Sequence, residues 1–179
     1  MGMSGRALLG AFALGLAAVG VAGAGLNANW SDHLTGTEEV PARETGAQGQ
    51  AIFHLSKDGT SLDYRLIASN IDNVFQAHIH SGAPGVNGPI VVWLYPSTAP
   101  TPGPVGGGRT DGVLAEGTIT SANIATGPSV PVGYTFERLV AEMRAGLAYV
   151  NVHTNDGVAP TNTGPGDFPG GEIRAQIVE

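Results

Sequence analysis

Two histidines, His78 and His80, lie two positions apart in the stretch VFQAHIH at residues 74–80. Apolar and polar residues alternate along this stretch, which predicts a β-strand. In a strand the side chains of residues i and i+2 project to the same side, with their Cα atoms roughly 6.5–7 Å apart. The two imidazoles can therefore bind one metal ion, and imidazole suits copper, zinc, nickel and iron.

A third histidine, His153, lies in a second predicted strand, AYVNVHT at residues 148–154. It falls on the polar face of that strand. If this strand is the neighbour of the one that carries His78 and His80, the three imidazoles form one site. We therefore predict a copper or zinc site at His78, His80 and His153, to which an acidic side chain would add an oxygen ligand. The candidates for that ligand are Glu38, Glu39 and Glu172.

An alternative without a metal accounts for the same residues. Histidines on a polar strand face also form ordinary hydrogen bonds. In that case His80 would bond the glycine-rich connection that follows its strand, and His153 would bond the turn after its own. The other two histidines, His33 and His54, are predicted to lie on the surface.

Short strands separated by Gly- and Pro-rich connections make up most of the chain. The clearest pair is a β-hairpin, Ala51–Leu55 and Leu62–Ala68, with a turn at Asp58. One helix is predicted over Tyr134–Gly146, with Thr135 as its N-cap. The remaining predicted strands are Leu34–Pro41, Ile90–Tyr95, Val113–Thr120 and Glu172–Val178, and the two long loops are Pro96–Gly112 and Asn155–Gly171.

The last predicted strand carries two charged residues on one face, Glu172 and Arg174. We expect either a structural ion pair between them or a contact with the segment EEVP at residues 38–41.

Composition limits the possible classes of protein. The 179 residues include 28 Gly and 12 Pro, and only 13% are charged. So many helix-breaking residues exclude a long helical bundle and favour a mostly β domain. The formal net charge of −7 argues against nucleic acid as a partner, because phosphate binding needs a basic face. The chain has no cysteine, which excludes disulfides and thiolate chemistry.

The first 26 residues form a separate segment, in which Arg6 precedes an uninterrupted run of small and apolar residues. This pattern is typical of a secretory signal peptide, with cleavage after Ala24, or of a retained transmembrane anchor at residues 7–26. Both alternatives place the domain at residues 27–179 outside the cytoplasm, in the periplasm or secreted.

Four separated motifs resemble those of the CHRD domain family, the module named after its occurrence in chordin. They are LTGTEEVP at 34–41, AHIHSGAPGVNGPIVVWL at 77–94, AYVNVHT at 148–154 and GGEIRAQI at 170–177. The resemblance implies a β-sandwich module that is common in exported bacterial proteins, and it implies no particular reaction. The His-x-His strand and the later histidine are also similar, more distantly, to copper-zinc superoxide dismutase, although that enzyme's cysteines and zinc loop have no counterpart here.

The short strands predict a mainly β fold, an antiparallel sandwich or barrel with one short helix, preceded by an N-terminal hydrophobic helix. The resemblance implies that this fold is an antiparallel Greek-key β-sandwich. The first functional hypothesis is an exported, non-enzymatic binding or structural module that meets a protein partner through its surface and long loops. One alternative is an accessory subunit of a membrane complex, tethered by its N-terminal helix with the sandwich on the periplasmic side. The other is a histidine-ligated copper or zinc protein, for which a redox activity would be the only enzymatic form.

Overall fold

The computed structural model describes residues 28–96 and 101–179. Within these residues the chain forms eight strands, one α-helix and two short 3-10 turns. The strands are β1 (Asn29–Thr35), β2 (Gln48–Leu55), β3 (Leu62–Asp72), β4 (Val74–Ser81), β5 (Ile90–Tyr95), β6 (Arg109–Ile119), β7 (Ala148–Thr154) and β8 (Ile173–Gln176), the helix α1 is Phe136–Arg144, and the 3-10 turns are Gly36–Glu38 and Ser121–Asn123.

All eight of these strands belong to one antiparallel sheet, in the order β5-β4-β7-β8-β1-β2-β3-β6. The two outer strands, β5 and β6, approach each other, and an isolated bridge joins Val92 to Ile124 just beyond β6. The sheet thus curls nearly into a barrel, which protects the edges that an open sheet exposes. The predicted mainly antiparallel β architecture with one helix is confirmed for the described residues.

One continuous hydrophobic cluster forms the core. Alternate residues of β1 and β2 are buried, as the period of two along a strand requires. Helix α1 contributes an apolar stripe at i, i+3, i+4 and i+7. Its buried residues are Phe136, Leu139, Val140 and Met143. As predicted, Thr135 caps the helix, because its Oγ1 accepts a hydrogen bond of 3.2 Å from the backbone N–H of Arg138.

Strand β7 differs from an ordinary half-exposed strand because every one of its residues is buried. Val150 and Val152 belong to the hydrophobic core. The opposite face carries Tyr149, Asn151 and His153, and two connecting loops cover it, as described below. The strand lies between β4 and β8 in the sheet.

Two strand boundaries differ from those that the sequence predicts. Strand β1 contains only the first two residues of the predicted strand Leu34–Pro41. It ends at Thr35, because the chain turns at Gly36–Glu38. The carbonyl of Gly36 accepts hydrogen bonds from the backbone N–H groups of Glu39 and Arg43, which holds that turn. The predicted segment therefore forms a strand end, a 3-10 turn and an extended exit.

Strand β6 begins at Arg109, inside the predicted loop Pro96–Gly112. Its first residues pair with the end of β3, Thr110 with Ile71 and Arg109 with Asp72, across two irregularities in register. These residues are polar and exposed or half-exposed, so no hydrophobic alternation marks them as a strand.

The predicted signal peptide or anchor at residues 1–26 lies outside the described residues. Among residues 28–96 and 101–179, no helix has the length and apolar character that crossing a membrane requires.

Candidate metal centre

The three histidines of the predicted site come together at the centre of the sheet. His78 and His80 lie on β4, and His153 lies on the neighbouring strand β7. The pairing of β4 with β7 places His153 opposite Gln76 and Asn151 opposite His78. One ligand nitrogen from each of the three imidazoles lies within 4.8 Å of the others. The strand adjacency on which the predicted site depended is therefore present.

All three imidazoles are buried, with exposed fractions of 0% for His78, 7% for His80 and 6% for His153. The remaining two histidines, His33 and His54, are exposed, as predicted. His54 forms only a surface hydrogen bond of 2.7 Å with Asn29.

Backbone carbonyls hold two of the imidazoles by one ring nitrogen each. His80 Nδ1 lies 2.8 Å from the carbonyl oxygen of Gly88, and His153 Nδ1 lies 2.9 Å from that of Pro169. A carbonyl can only accept, so in each of these contacts Nδ1 carries the proton and Nε2 keeps its lone pair. A metal-binding histidine has this arrangement, in which the second nitrogen is fixed by a hydrogen bond outside the metal site.

Gly88 holds His80 from a position that only glycine can occupy. Its carbonyl accepts from His80, and its N–H donates to the Tyr149 hydroxyl at 3.1 Å. A Cβ at residue 88 would overlap the backbone oxygen of Ser81. The glycine-rich connection after β4 therefore positions His80, and it does so by close approach of two backbone segments.

The remaining nitrogens of the cluster are unusual for buried polar atoms. His78 Nδ1 lies 3.1 Å from His153 Nε2, which gives that pair one hydrogen bond. The Nε2 atoms of His78 and His80 are buried and have no hydrogen-bond partner in the part of the chain that the structure describes. Buried polar atoms are normally paired, and an unpaired one calls for an explanation such as an ion.

Burial also keeps the three imidazoles neutral. It is the main reason that the pKa of His78 falls to about 2 and those of His80 and His153 fall to about 4. The proximity of the other two imidazoles lowers the pKa of His78 further, whereas the hydrogen bonds to Gly88 and Pro169 oppose the shift at their partners. Neutral imidazole is the protonation state in which histidine binds a metal.

Aromatic and cationic groups stack beside the cluster. The ring of His80 lies parallel to that of Tyr149, with centroids 4.7 Å apart and 8° between the planes. The guanidinium of Arg174 lies over the Tyr149 ring, 3.5 Å from its centroid. On the far side, Trp93 packs edge to face against His78 at 4.3 Å.

Arg174 does not form the predicted ion pair with Glu172. No salt bridge between them occurs among the described residues, because other groups already occupy both. The carboxylate of Glu172 accepts from the Thr45 hydroxyl, the Thr154 hydroxyl and the Gly166 N–H. Arg174 instead donates to Asn87 Oδ1 and the Val86 carbonyl, and its charge opposes the rise that burial causes in the pKa of Glu39, in the EEVP segment.

The three acidic residues proposed as additional ligands are all outside the cluster of ligand atoms that lie within 4.8 Å of one another. Glu38 is exposed. Glu172 is fully buried, but both of its oxygens accept hydrogen bonds from other groups. Glu39 is 5% exposed, and its Oε1 is buried without a hydrogen-bond partner in the described chain. Burial raises the pKa of Glu39 to about 7, and the charge of Arg174 opposes that shift.

Three residues near the histidines were not predicted from the sequence as site residues. Asn151 is 3% exposed, and its Oδ1 lies 2.9 Å from Nε2 of His153. Its position two residues before His153 on the same strand face was an available signal. The roles of Gly88 and Pro169 depend on their backbone carbonyls, and a carbonyl leaves no trace in the residue type.

Comparison with known proteins gives a family and no individual relative. The family model of the CHRD domain matches residues 30–177. No curated protein and no solved structure gives a significant match. The matched range covers well over half of the chain, and it includes the four motifs, the three histidines and all the described strands except the first residue of β1. The chain belongs to the CHRD domain family.

Proposed function

We propose that this CHRD domain is a non-enzymatic binding module that holds one copper or zinc ion through His78, His80 and His153. The observation that supports it most directly is the pair of buried Nε2 atoms, on His78 and His80, that no described group satisfies. The same two residues belong, with His153, to the only group of three potential ligand side chains found among the described residues.

The alternative of a purely hydrogen-bonded patch explains half of these contacts. It correctly predicts that His80 bonds the glycine-rich connection, whereas His153 bonds the Pro169 carbonyl, near the far end of the second long loop, and not the turn that directly follows its strand. It gives no reason for two adjacent unpaired nitrogens, each of which costs about 1–3 kcal/mol when buried without a partner. A bound ion would satisfy both nitrogens at once and would recover that cost.

The burial of the ligands favours a resident ion over a catalytic one. Three protein ligands leave a fourth coordination position, and a catalytic metal needs that position accessible to substrate. Strand β7 is buried throughout, and the loops that carry Gly88 and Pro169 cover its polar face. The proposal therefore assigns the ion to stability or binding, and a redox reaction belongs to its weaker alternative.

Metal analysis of the purified chain tests the proposal. We expect about one copper or zinc per chain, lost in His78→Leu and His80→Leu and kept in the surface variants His33→Leu and His54→Leu. Trp93 supplies a second readout, since it lies 4.3 Å from His78 and Cu²⁺ should quench its fluorescence. The quenching should disappear in Trp93→Phe, in which the buried Trp30 remains. Wild-type chain that binds neither ion at micromolar concentration would overturn the proposal.

We also propose that the domain works outside the cytoplasm. The pattern of residues 1–26 supports this, either as a cleaved signal peptide or as an anchor that would tether the domain to a membrane complex. The mass of the native N-terminus separates the two, because a chain that starts near Gly25 has lost the anchor. We further propose that the fold is related to the Greek-key sandwich of copper-zinc superoxide dismutase. The paired strands that carry the three histidines support this relation.

A further inference from the structure

Strands β1 and β8 are neighbours in the sheet, yet they separate after a single pair. Thr35 of β1 pairs with Arg174 of β8, and no other position of these two described strands is paired with the other. By contrast, β1 pairs with β2 along its whole length, and β8 pairs with β7 along its whole length. The sheet is therefore open between β1 and the residues that follow β8.

A cavity of about 360 Å³ lies in this opening. Asp32, Thr35 and Glu38 line one wall, and Ala175 and Val178 line the other. The exposed side chains of Glu38 and Val178 place its mouth at the surface. Its volume is typical of pockets that hold small organic ligands. Two carboxylates line it, and none of its lining residues is a lysine or an arginine.

Asp32 is unusual because it occupies a core-facing position of its strand. Alternate residues of β1 are buried, and the other two are Trp30 and Leu34. Asp32 itself is only 7% exposed. Its Oδ1 accepts a long hydrogen bond of 3.3 Å from the Val178 N–H, and its Oδ2 is buried without a partner in the described chain. A buried carboxylate with so little compensation is costly unless a cation pairs with it.

No cationic side chain of the described residues supplies that pairing. Asp32 takes part in none of the salt bridges found there. Burial raises the pKa of Asp32 to about 6, and the group that opposes this rise is the Val178 N–H, not a positive charge. The other titratable residues that line the cavity, His33 and Glu38, are exposed. The missing cation must therefore come from outside these residues.

The cavity suits an ammonium group better than a metal ion or a guanidinium. A metal site brings several ligand side chains around one point, and the three histidines are the only such group among the described residues. A guanidinium binds a carboxylate best through both oxygens, and Oδ1 is already engaged by Val178. An ammonium is a compact charge that donates to single oxygens, such as Oδ2. Ala175 and Val178 offer apolar surface to an alkyl stem.

We infer that the cavity between β1 and β8 binds an alkylammonium group, with Asp32 as its buried counter-ion and Glu38 as a second carboxylate at the mouth. The group belongs either to a free primary amine or to a lysine side chain of another protein, because both carry the same charge on the same kind of stem. The site is separate from the three histidines, which lie on β4 and β7. The inference does not depend on the proposed function.

Amide NMR of the chain at about pH 7.5 tests the inference, since the Val178 N–H donates directly to Asp32, which is ionised there. We expect n-butylammonium to shift the Val178 signal in a saturable way and the neutral n-butanol to leave it unchanged. Nα-acetyl-lysine amide should shift the same signal. Tighter binding than that of butylammonium would identify a lysine side chain as the occupant, and weaker binding would identify a free amine. Physiological salt screens unspecific attraction to the acidic surface.

Three variants assign the effect to the cavity. Asp32→Asn keeps the shape of the side chain and removes its charge, so butylammonium binding should weaken about 10- to 100-fold, as expected for one hydrogen bond between charged groups. Glu38→Gln should weaken it only a few-fold, because this carboxylate is exposed. Glu44→Gln removes the same charge from an exposed residue outside the cavity and should leave the affinity unchanged. Thermal unfolding of each variant provides the folding control.

Three results would overturn the inference. The first is a Val178 signal that shows no saturable shift with either amine, or the same shift with n-butanol. The second is an equal loss of affinity in Asp32→Asn and Glu44→Gln, which would mean that the net charge of the chain attracts the amine. The third is tighter binding of Ca²⁺ or Mg²⁺ than of either amine at the same signal, which would replace the ammonium group by a metal ion.

Discussion

Replacing Gly88 by alanine should weaken metal binding without touching any ligand. The added Cβ would overlap the backbone oxygen of Ser81, so the connection after β4 must move. Two hydrogen bonds of Gly88 would lengthen or break, its carbonyl with His80 Nδ1 at 2.8 Å and its N–H with the Tyr149 hydroxyl at 3.1 Å. His80 would then keep its place on the strand but lose the group that fixes its ring and tautomer.

The magnitude follows from these two bonds. Each contributes about 1 kcal/mol net, and displacement of the Ser81 backbone adds to this, so the metal-free variant should lose at least about 2 kcal/mol of unfolding free energy. Loss of a hydrogen-bond partner behind a metal-binding histidine typically lowers affinity about 10- to 100-fold. We expect Gly88→Ala to fall in that range for Zn²⁺ in a chelator competition assay, with urea unfolding of the metal-free protein measured in parallel.

Gly85 offers a matched control in the same connection. Its φ is +74° and a Cβ there has open space around it. Gly85→Ala therefore costs about 1–2 kcal/mol of backbone strain and leaves the contacts of His80 intact. Gly88→Ala should bind zinc at least tenfold more weakly than Gly85→Ala. Equal affinity losses, or none in Gly88→Ala, would refute the idea that this carbonyl prepares His80 for a metal.

Three further predictions concern the buried charges. Burial raises the pKa of Asp32 from 3.8 to about 6, so the folded chain holds more protons than the unfolded chain between those pH values. Its stability therefore falls as pH rises through that window. In urea unfolding, Asp32→Asn should gain about 1–2 kcal/mol of stability relative to wild type between pH 4 and pH 7.5, a shift discounted for the partial exposure of the group. Gly171→Ala should lower the free energy of unfolding by about 1–3 kcal/mol, because the added Cβ meets the Glu39 carboxylate. This loss should be smaller in a Glu39→Ala background. An unchanged loss would point to backbone strain at φ +125° instead. Arg174→Lys should lower the melting temperature almost as much as Arg174→Met, since an ammonium cannot reproduce the planar stack on Tyr149; full rescue by lysine would show that charge alone matters.

The sequence predicts the histidine site because its signal is local. His78 and His80 share a strand face by their spacing alone, and His153 lies on the polar face of a strand with clear alternation. The adjacency of β4 and β7 was a condition of that prediction, since pairing between distant strands depends on the whole topology. The exposed start of β6 and the turn after Thr35 were predicted wrongly, because polar edge residues and backbone turns carry little hydrophobic pattern.

The long loop Asn155–Gly171 shows the same limit from the side of function. Its Pro and Gly content suggested a free surface for a partner, and it does contain no described strand. The structure shows that it is also tied to the body of the protein: Phe168 N–H donates to Thr154 Oγ1, Gly166 N–H donates to Glu172, and the Pro169 carbonyl accepts from His153. Such contacts come from backbone groups, which a sequence of small residues does not distinguish from those of a mobile loop.

This anchoring gives the Gly- and Pro-rich connections a purpose in the proposed site. A metal-binding histidine binds more tightly when its ring is fixed before the ion arrives, because the binding free energy then does not have to offset the entropy lost in ordering the ring. The carbonyls of Gly88 and Pro169 supply that order from two different loops, and both loops lie over the polar face of β7. If the loops serve the site in this way, shortening either one should reduce the metal affinity of a variant that still folds. Retained zinc affinity after deletion of the segment that carries the Pro169 carbonyl would contradict this role.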